Sequence, residues 1–152
     1  MRNPEHVLRT QVLVARPIDE AFAFFADAGN LERITPPELN FRILTPMPVA
    51  MHVGARIDYR LGLFGIPFTW RTEITRWDPP HAFEDTQLSG PYAQWIHTHS
   101  FRADGNRTVI EDQVRYRLPV FIAGEAAWPV VRLQLARIFR HRERRIRALL
   151  EA

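Results

Sequence analysis

The sequence predicts an α+β domain in which an antiparallel sheet is covered by one long C-terminal helix. Three observations carry this. Apolar and polar residues alternate with period two through most of Phe41 to Leu118, the signature of half-buried strands. From Trp128 to Leu150 the apolar residues instead recur at steps of three and four. Ahead of both, a β-branched stretch is followed by two short helical patterns.

In chain order, Val7 to Arg16 (VLRTQVLVAR) reads as a first strand. Pro17 disfavours helix at Arg16 and pre-sets a helical turn, and Asp19 and Glu20 suit the positive end of a helix dipole, so a helix is expected to start at Pro17. Its apolar face is Ile18, Ala21, Phe22, Phe25 and Ala26. Asn30 is the expected cap of a second short helix through NLERIT, ended by Pro36-Pro37. Ile57, Tyr59, Leu61 and Leu63 then alternate with charged residues, as do Phe68, Trp70, Thr72 and Ile74 beyond the FGIP turn. Further strands are expected over Phe83 to Ser89, Ala93 to Ala103 and Thr108 to Leu118, separated by turns at Gly90-Pro91 and Asp104-Gly105-Asn106. The closing helix shows Val131, Leu135, Ile138, Phe139, Ile146 and Leu149 on one side. Arg132, Arg137, Arg140, Arg144 and Arg147 fall mostly on the other.

Composition bounds the chemistry. At 152 residues the chain is expected to form one domain, 1–152, with a substantial core. All 20 basic residues are Arg, and Cys is absent. Disulfides, Cys-ligated metals, Schiff-base lysines and the P-loop lysine are therefore excluded. Residues 1–131 hold 13 Arg against 15 acids, whereas residues 132–152 hold 7 Arg against 2, so the positive charge belongs to the last helix. RHRERRIR at 140–147 resembles a nucleic-acid patch, but its interleaving with a core stripe reads as a solvated face, and no nucleic-acid partner is expected. No apolar run reaches a membrane span, and residues 1–16 lack a signal-peptide core, so a cytoplasmic chain without membrane insertion is expected.

The most informative stretch is GPYAQWIHTHSF, residues 90–101. On a strand Trp95, His97, His99 and Phe101 share a face, and the two aromatics mark it as the inner one. Asp112 shares the inner face of the next strand with Ile110, Val114 and Tyr116, an expensive place for an unpaired carboxylate. A two-residue loop at Gly105-Asn106 sets Asp112 opposite His99; a loop at Asp104-Gly105 sets it opposite His97. A three-residue loop at Gly90 to Tyr92 pairs Asp85 with His97 and Gln87 with Trp95. Asp85, Gln87, His97, His99 and Asp112 are thus expected to form one polar cluster. It can be a satisfied structural network, a polar anchor in an apolar ligand cavity, or a chemical site. In the last case Asp112 would orient His97 or His99 as general acid or base, or His-x-His with carboxylates would bind a metal. Trp77 and Trp128, beside prolines, are expected to plug the rim of the sheet.

The element order, with IDEAFAFFADAGNLERITPP, WDPPHAFEDTQLSGPYAQWIHTHSF and VIEDQVRYRLP, resembles the SRPBCC superfamily over about Val7 to Leu150. That superfamily includes START domains, polyketide cyclases and dehydrases, and the Bet v 1 group; the quoted strings resemble a bacterial group of ligand-binding SRPBCC domain proteins. The resemblance implies a helix-grip fold, a curved antiparallel sheet wrapped around the C-terminal helix, with a cavity for a hydrophobic ligand. No superfamily-wide catalytic residues carry over. The expected wall is Tyr59, Trp70, Asp85, Gln87, Trp95, His97, His99, Asp112, Tyr116, Leu135 and Phe139. The expected function is binding of a lipid, isoprenoid or polyketide-like molecule without metal or organic cofactor. The alternative is a cyclase or dehydratase using His97 or His99 with Asp112.

Overall fold

The computed structural model describes residues 3–119 and 124–151. Strand β1 (His6–Val14) leads into helix α1 (Ile18–Ala26) and the four-residue helix α2 (Leu31–Ile34). Strands β2 (Arg42–Ile43), β3 (Arg56–Leu63), β4 (Ile66–Asp78), β5 (Ala82–Ser89), β6 (Gln94–Asp104) and β7 (Arg107–Arg117) follow, and helix α3 (Trp128–Leu150) closes the chain. The strands form one antiparallel sheet in the order β1-β7-β6-β5-β4-β3-β2. Residues 120–123, between β7 and α3, lie outside the described residues.

Local signals explain the boundaries, with some corrections. Pro17 is the residue before α1 rather than its first: it keeps an extended ψ of 154°, and its carbonyl accepts the Ala21 N–H at 3.0 Å. Asn30 precedes α2 as expected, but its side chain does not cap the helix. Its Nδ2 donates to the Phe24 carbonyl at 2.7 Å and its Oδ1 accepts from Arg33 at 3.0 Å, which uses the amide on either side of the cap. Beyond Pro36 the chain makes a 3₁₀ turn at Pro37–Leu39 and the two-residue strand β2, neither of which has a periodic signature long enough to read. The β3–β4 hairpin turns on Phe64 and Gly65, both with positive φ (53° and 78°).

Register follows from the turns. Asp104 pairs with Arg107 around Gly105-Asn106, so His99 stands opposite Asp112 and His97 opposite Val114; the loop at Asp104-Gly105 does not form. Asp85 pairs with His97 as expected, but β5–β6 pairing ends at Thr86 and Ile96, and Gln87 has no strand partner at Trp95. Two register shifts in the β4–β5 pair, between Arg71 and Thr72 and between Ile74 and Arg76, break its regularity, and such irregularities bend and twist a sheet.

Two apolar clusters fill the inner face. One gathers Phe22, Phe25, Phe83, Phe101, Ile110 and Ile146 beneath α1. The other gathers Leu61, Trp70, Trp95, Val114, Tyr116, Leu135 and Phe139. His97, His99 and Asp112, all buried, occupy the strand positions between them. Helix α3 buries Leu135, Phe139, Arg142, Ile146 and Leu150, a stripe at steps of three and four that runs past both clusters. Trp77 packs edge-on to Phe22, and Trp128 stacks on His6. No described helix is long and apolar enough to cross a membrane.

Candidate functional site

The inner faces of β3 to β6, α1, α2 and α3 line a cavity of about 150 Å³. Tyr59, Trp70 and Trp95 from three strands, Phe25 from α1 and Leu135 and Phe139 from α3 line it, and Asp85, His97, His99 and Arg142 form its polar end. The strand alternation that buries Ile57 and Leu61 also turns Tyr59 inward, and the alternation of Trp95 to Phe101 delivers both histidines.

At the polar end the carboxylates hold the imidazoles. His97 Nε2 donates to Asp112 Oδ1 at 2.7 Å, and His99 Nε2 donates to Asp85 Oδ2 at 2.8 Å. His99 Nδ1 lies 3.2 Å from the same Asp112 oxygen without the alignment of a hydrogen bond. The two imidazoles stack with centroids 3.7 Å apart, and His99 also stacks on Phe83 at 4.0 Å. Arg142 sits 3.8 Å from Asp112 and packs its guanidinium on Phe25 and Phe139.

Electrostatics separates the two histidines. Burial depresses the His97 imidazolium and the charge of His99 adds to that, so its pKa is lowered despite Asp112. Burial acts on His99 too, but the carboxylates of Asp112 and Asp85 together outweigh it, and its pKa is raised. Burial would keep Asp112 protonated, yet Arg142 and both histidines hold it well below the usual carboxylate range. Asp85 is likewise lowered against its burial, chiefly by the His99 hydrogen bond. The site thus biases His97 toward its neutral form and His99 toward its protonated form. Two ionised carboxylates face them and Arg142.

The structure brings eight of the expected wall residues to the cavity: Tyr59, Trp70, Asp85, Trp95, His97, His99, Leu135 and Phe139. Three others stand elsewhere. Asp112 lies behind His97 as its hydrogen-bond acceptor. Tyr116 belongs to the packed cluster, its hydroxyl accepting from Trp128 Nε1 at 3.1 Å. Gln87 is not in the polar cluster: Nε2 donates to the Tyr92 carbonyl at 2.7 Å and Oε1 accepts the Tyr92 N–H at 3.2 Å, so its amide ties the β5–β6 turn. Sequence reasoning missed Arg142 and Tyr92. The signal for Arg142 was a gap: the apolar stripe of α3 runs through 135, 139, 146 and 150, and the position that continues it between 139 and 146 is an arginine.

Asp85, His97 and His99 place one possible metal-ligand atom each within 4.8 Å of one another. Both Nε2 atoms are engaged with carboxylates and the two rings stack. The arrangement as it stands suits a polar end piece for a ligand.

The sheet order and the long closing helix recur in solved structures. The Zhui aromatase/cyclase from Streptomyces sp. R1128 is 17% identical with a TM-score of 0.78, over 97% of this chain and 94% of that one. A START superfamily protein from Mycobacterium smegmatis is 14% identical with a TM-score of 0.73, covering 96% and 97%. The ginseng major latex-like protein 151 from Panax ginseng is 14% identical with a TM-score of 0.69, also covering 96% and 97%. At such identities these likenesses establish the helix-grip fold. No curated protein matches in sequence. The family model described as polyketide cyclase / dehydrase and lipid transport matches residues 14–140, from the end of β1 to the middle of α3. A match that spans the cavity-forming sheet and half of its covering helix assigns the chain: it belongs to the polyketide cyclase/dehydrase and lipid transport family of the SRPBCC superfamily.

Proposed function

We propose that the chain binds a compact hydrophobic molecule between the sheet and α3, without turning it over. The observation that carries this is the cavity itself, a largely aromatic and aliphatic lining that carries one charged cluster, Asp85, His97, His99 and Arg142. Size narrows the ligand. Pockets for drug-sized molecules hold about 300–1,000 Å³, whereas an apolar cavity of about 150 Å³ accommodates a single benzene-sized ring. At 150 Å³ this cavity favours one small ring system over a long-chain lipid or an extended isoprenoid.

Trp70 and Trp95 line the cavity and report occupancy by fluorescence. Toluene is expected to quench or shift their emission saturably, and native mass spectrometry of protein from its own host is expected to show a bound organic compound. Failure of both rejects the binding role. One observation favours a second reading, catalysis: His99 lines the cavity with a raised pKa, as a general acid requires. An NMR titration in which the His99 resonance moves on ligand binding, with consumption of that ligand, would select the enzyme. An unconsumed ligand selects the binder.

A further inference from the structure

Arg142 is the least satisfied group in the cavity wall. It occupies a core position of α3 at 8% exposure, yet among the described residues no hydrogen bond forms from its guanidinium. Nε and Nη2 are shut from solvent without a partner. Asp112 Oδ1 stands 3.8 Å from Nη2, beyond hydrogen-bond reach, and the guanidinium packs over the rings of Phe25 and Phe139. Asp85 Oδ2 accepts from His99, and no hydrogen bond joins Asp85 to Arg142 among the described residues. A guanidinium carries five N–H donors, and burying them without acceptors is costly. Trp70 repeats the pattern in the same wall: its Nε1 is buried and unpartnered. The wall thus holds two side chains, Arg142 and Trp70, whose buried donors lack a hydrogen-bond acceptor although Asp85 and Asp112 stand nearby, and a ligand oxygen would supply one.

Resting on the binding role proposed above, we infer that the ligand is a compact apolar acid whose carboxylate sits on Arg142 while its ring lies along Tyr59 and Trp95. A neutral carbonyl meets one N–H and leaves the others stranded. A carboxylate presents two oxygens in a plane, the shape that matches two parallel N–H groups of a guanidinium. The acid is compact because the cavity holds about 150 Å³.

Isothermal titration of the protein at pH 7 with benzoate, nitrobenzene and toluene tests this. Nitrobenzene has nearly the shape of benzoate without its charge, and toluene lacks the acceptor altogether. Wild-type protein is expected to bind benzoate at least tenfold more tightly than nitrobenzene. Arg142→Met is expected to bring benzoate to the nitrobenzene level while toluene changes less than threefold. If benzoate binds no better than nitrobenzene, or keeps its advantage in folded Arg142→Met, the carboxylate assignment falls and the apolar cavity stands. If none of the three binds, the carboxylate assignment falls, and the binding role falls with it only if native mass spectrometry of protein from its own host also shows no bound compound. Should Arg142→Met fail to fold, the wild-type ratio of benzoate to nitrobenzene decides alone.

Discussion

Replacing Asp112 by Asn removes one charge from the buried cluster while keeping an oxygen that can accept from His97. Asp112 is 5% exposed and lies 2.7 Å from His97 Nε2, 3.2 Å from His99 Nδ1 and 3.8 Å from Arg142 Nη2. With an effective dielectric of about 20, unit charges at the Arg142 separation attract by about 4 kcal/mol. Loss of one partner from a buried pair costs about 3–5 kcal/mol because the other charge is left uncompensated. Relief of the carboxylate's own desolvation places Asp112→Asn near the low end, about 3 kcal/mol out of a total stability of about 5–15 kcal/mol. With a urea m-value of about 2 kcal/mol/M, the midpoint followed by tryptophan fluorescence is expected to fall by about 1.5 M at pH 7. Arg142→Met strands Asp112 in the same way, so the double variant should be about 2 kcal/mol more stable than the summed single losses. A loss below about 1 kcal/mol at unchanged m, or strict additivity in the double variant, would refute the account of Asp112 as the counter-charge to Arg142.

Four more outcomes follow from the same structure. His99 has a raised pKa, so the stability it contributes is fully present below its unfolded pKa and is lost as pH rises through the folded value. The urea midpoint gap between wild type and His99→Gln should therefore be wider at pH 6 than at pH 9, and an equal or reversed gap would contradict the assigned proton. Asp85 and Asp112, both lowered, contribute stability above their unfolded pKa that is lost as pH falls through the folded values, so a circular-dichroism acid titration of Asp112→Asn should be shallower than that of wild type. At the β3–β4 turn Phe64 is 59% exposed with φ 53°. Asn tolerates that conformation and precedes Gly in the preferred two-residue hairpin loop, so Phe64→Asn should stabilise by about 0.5–1 kcal/mol in thermal unfolding. Leu135→Phe adds bulk to the cavity wall and should weaken toluene binding at least tenfold; undiminished affinity would place the ligand elsewhere.

Helix-grip architecture was legible because its signals are local. Period-two alternation made Tyr59, Trp70, Trp95 and His97 inward residues before any contact was known, and Gly105-Asn106 allowed the register that sets Asp112 against His99. The same local logic placed Gln87 among the polar residues, because it shares strand parity with Asp85. At the end of a strand parity no longer governs a flexible amide, and Gln87 bonds instead to the backbone of Tyr92 in the adjoining turn.

Composition and periodicity together determined the element order, the inward aromatic set, the burial of a His-Asp cluster and the absence of Cys and Lys chemistry. Tertiary structure decided which carboxylate serves which imidazole: Asp112 bonds to His97 rather than to His99 directly opposite, and Asp85 bonds to His99 rather than to its strand partner His97. Such diagonal pairing depends on side-chain reach across neighbouring strands, which strand parity leaves open. It also decided that one arginine of a helix whose other arginines mostly face solvent is buried in the cavity wall. A charge can hold a core position only where other elements deliver its counter-charge, and β7, with Asp112, lies more than twenty residues away in the chain.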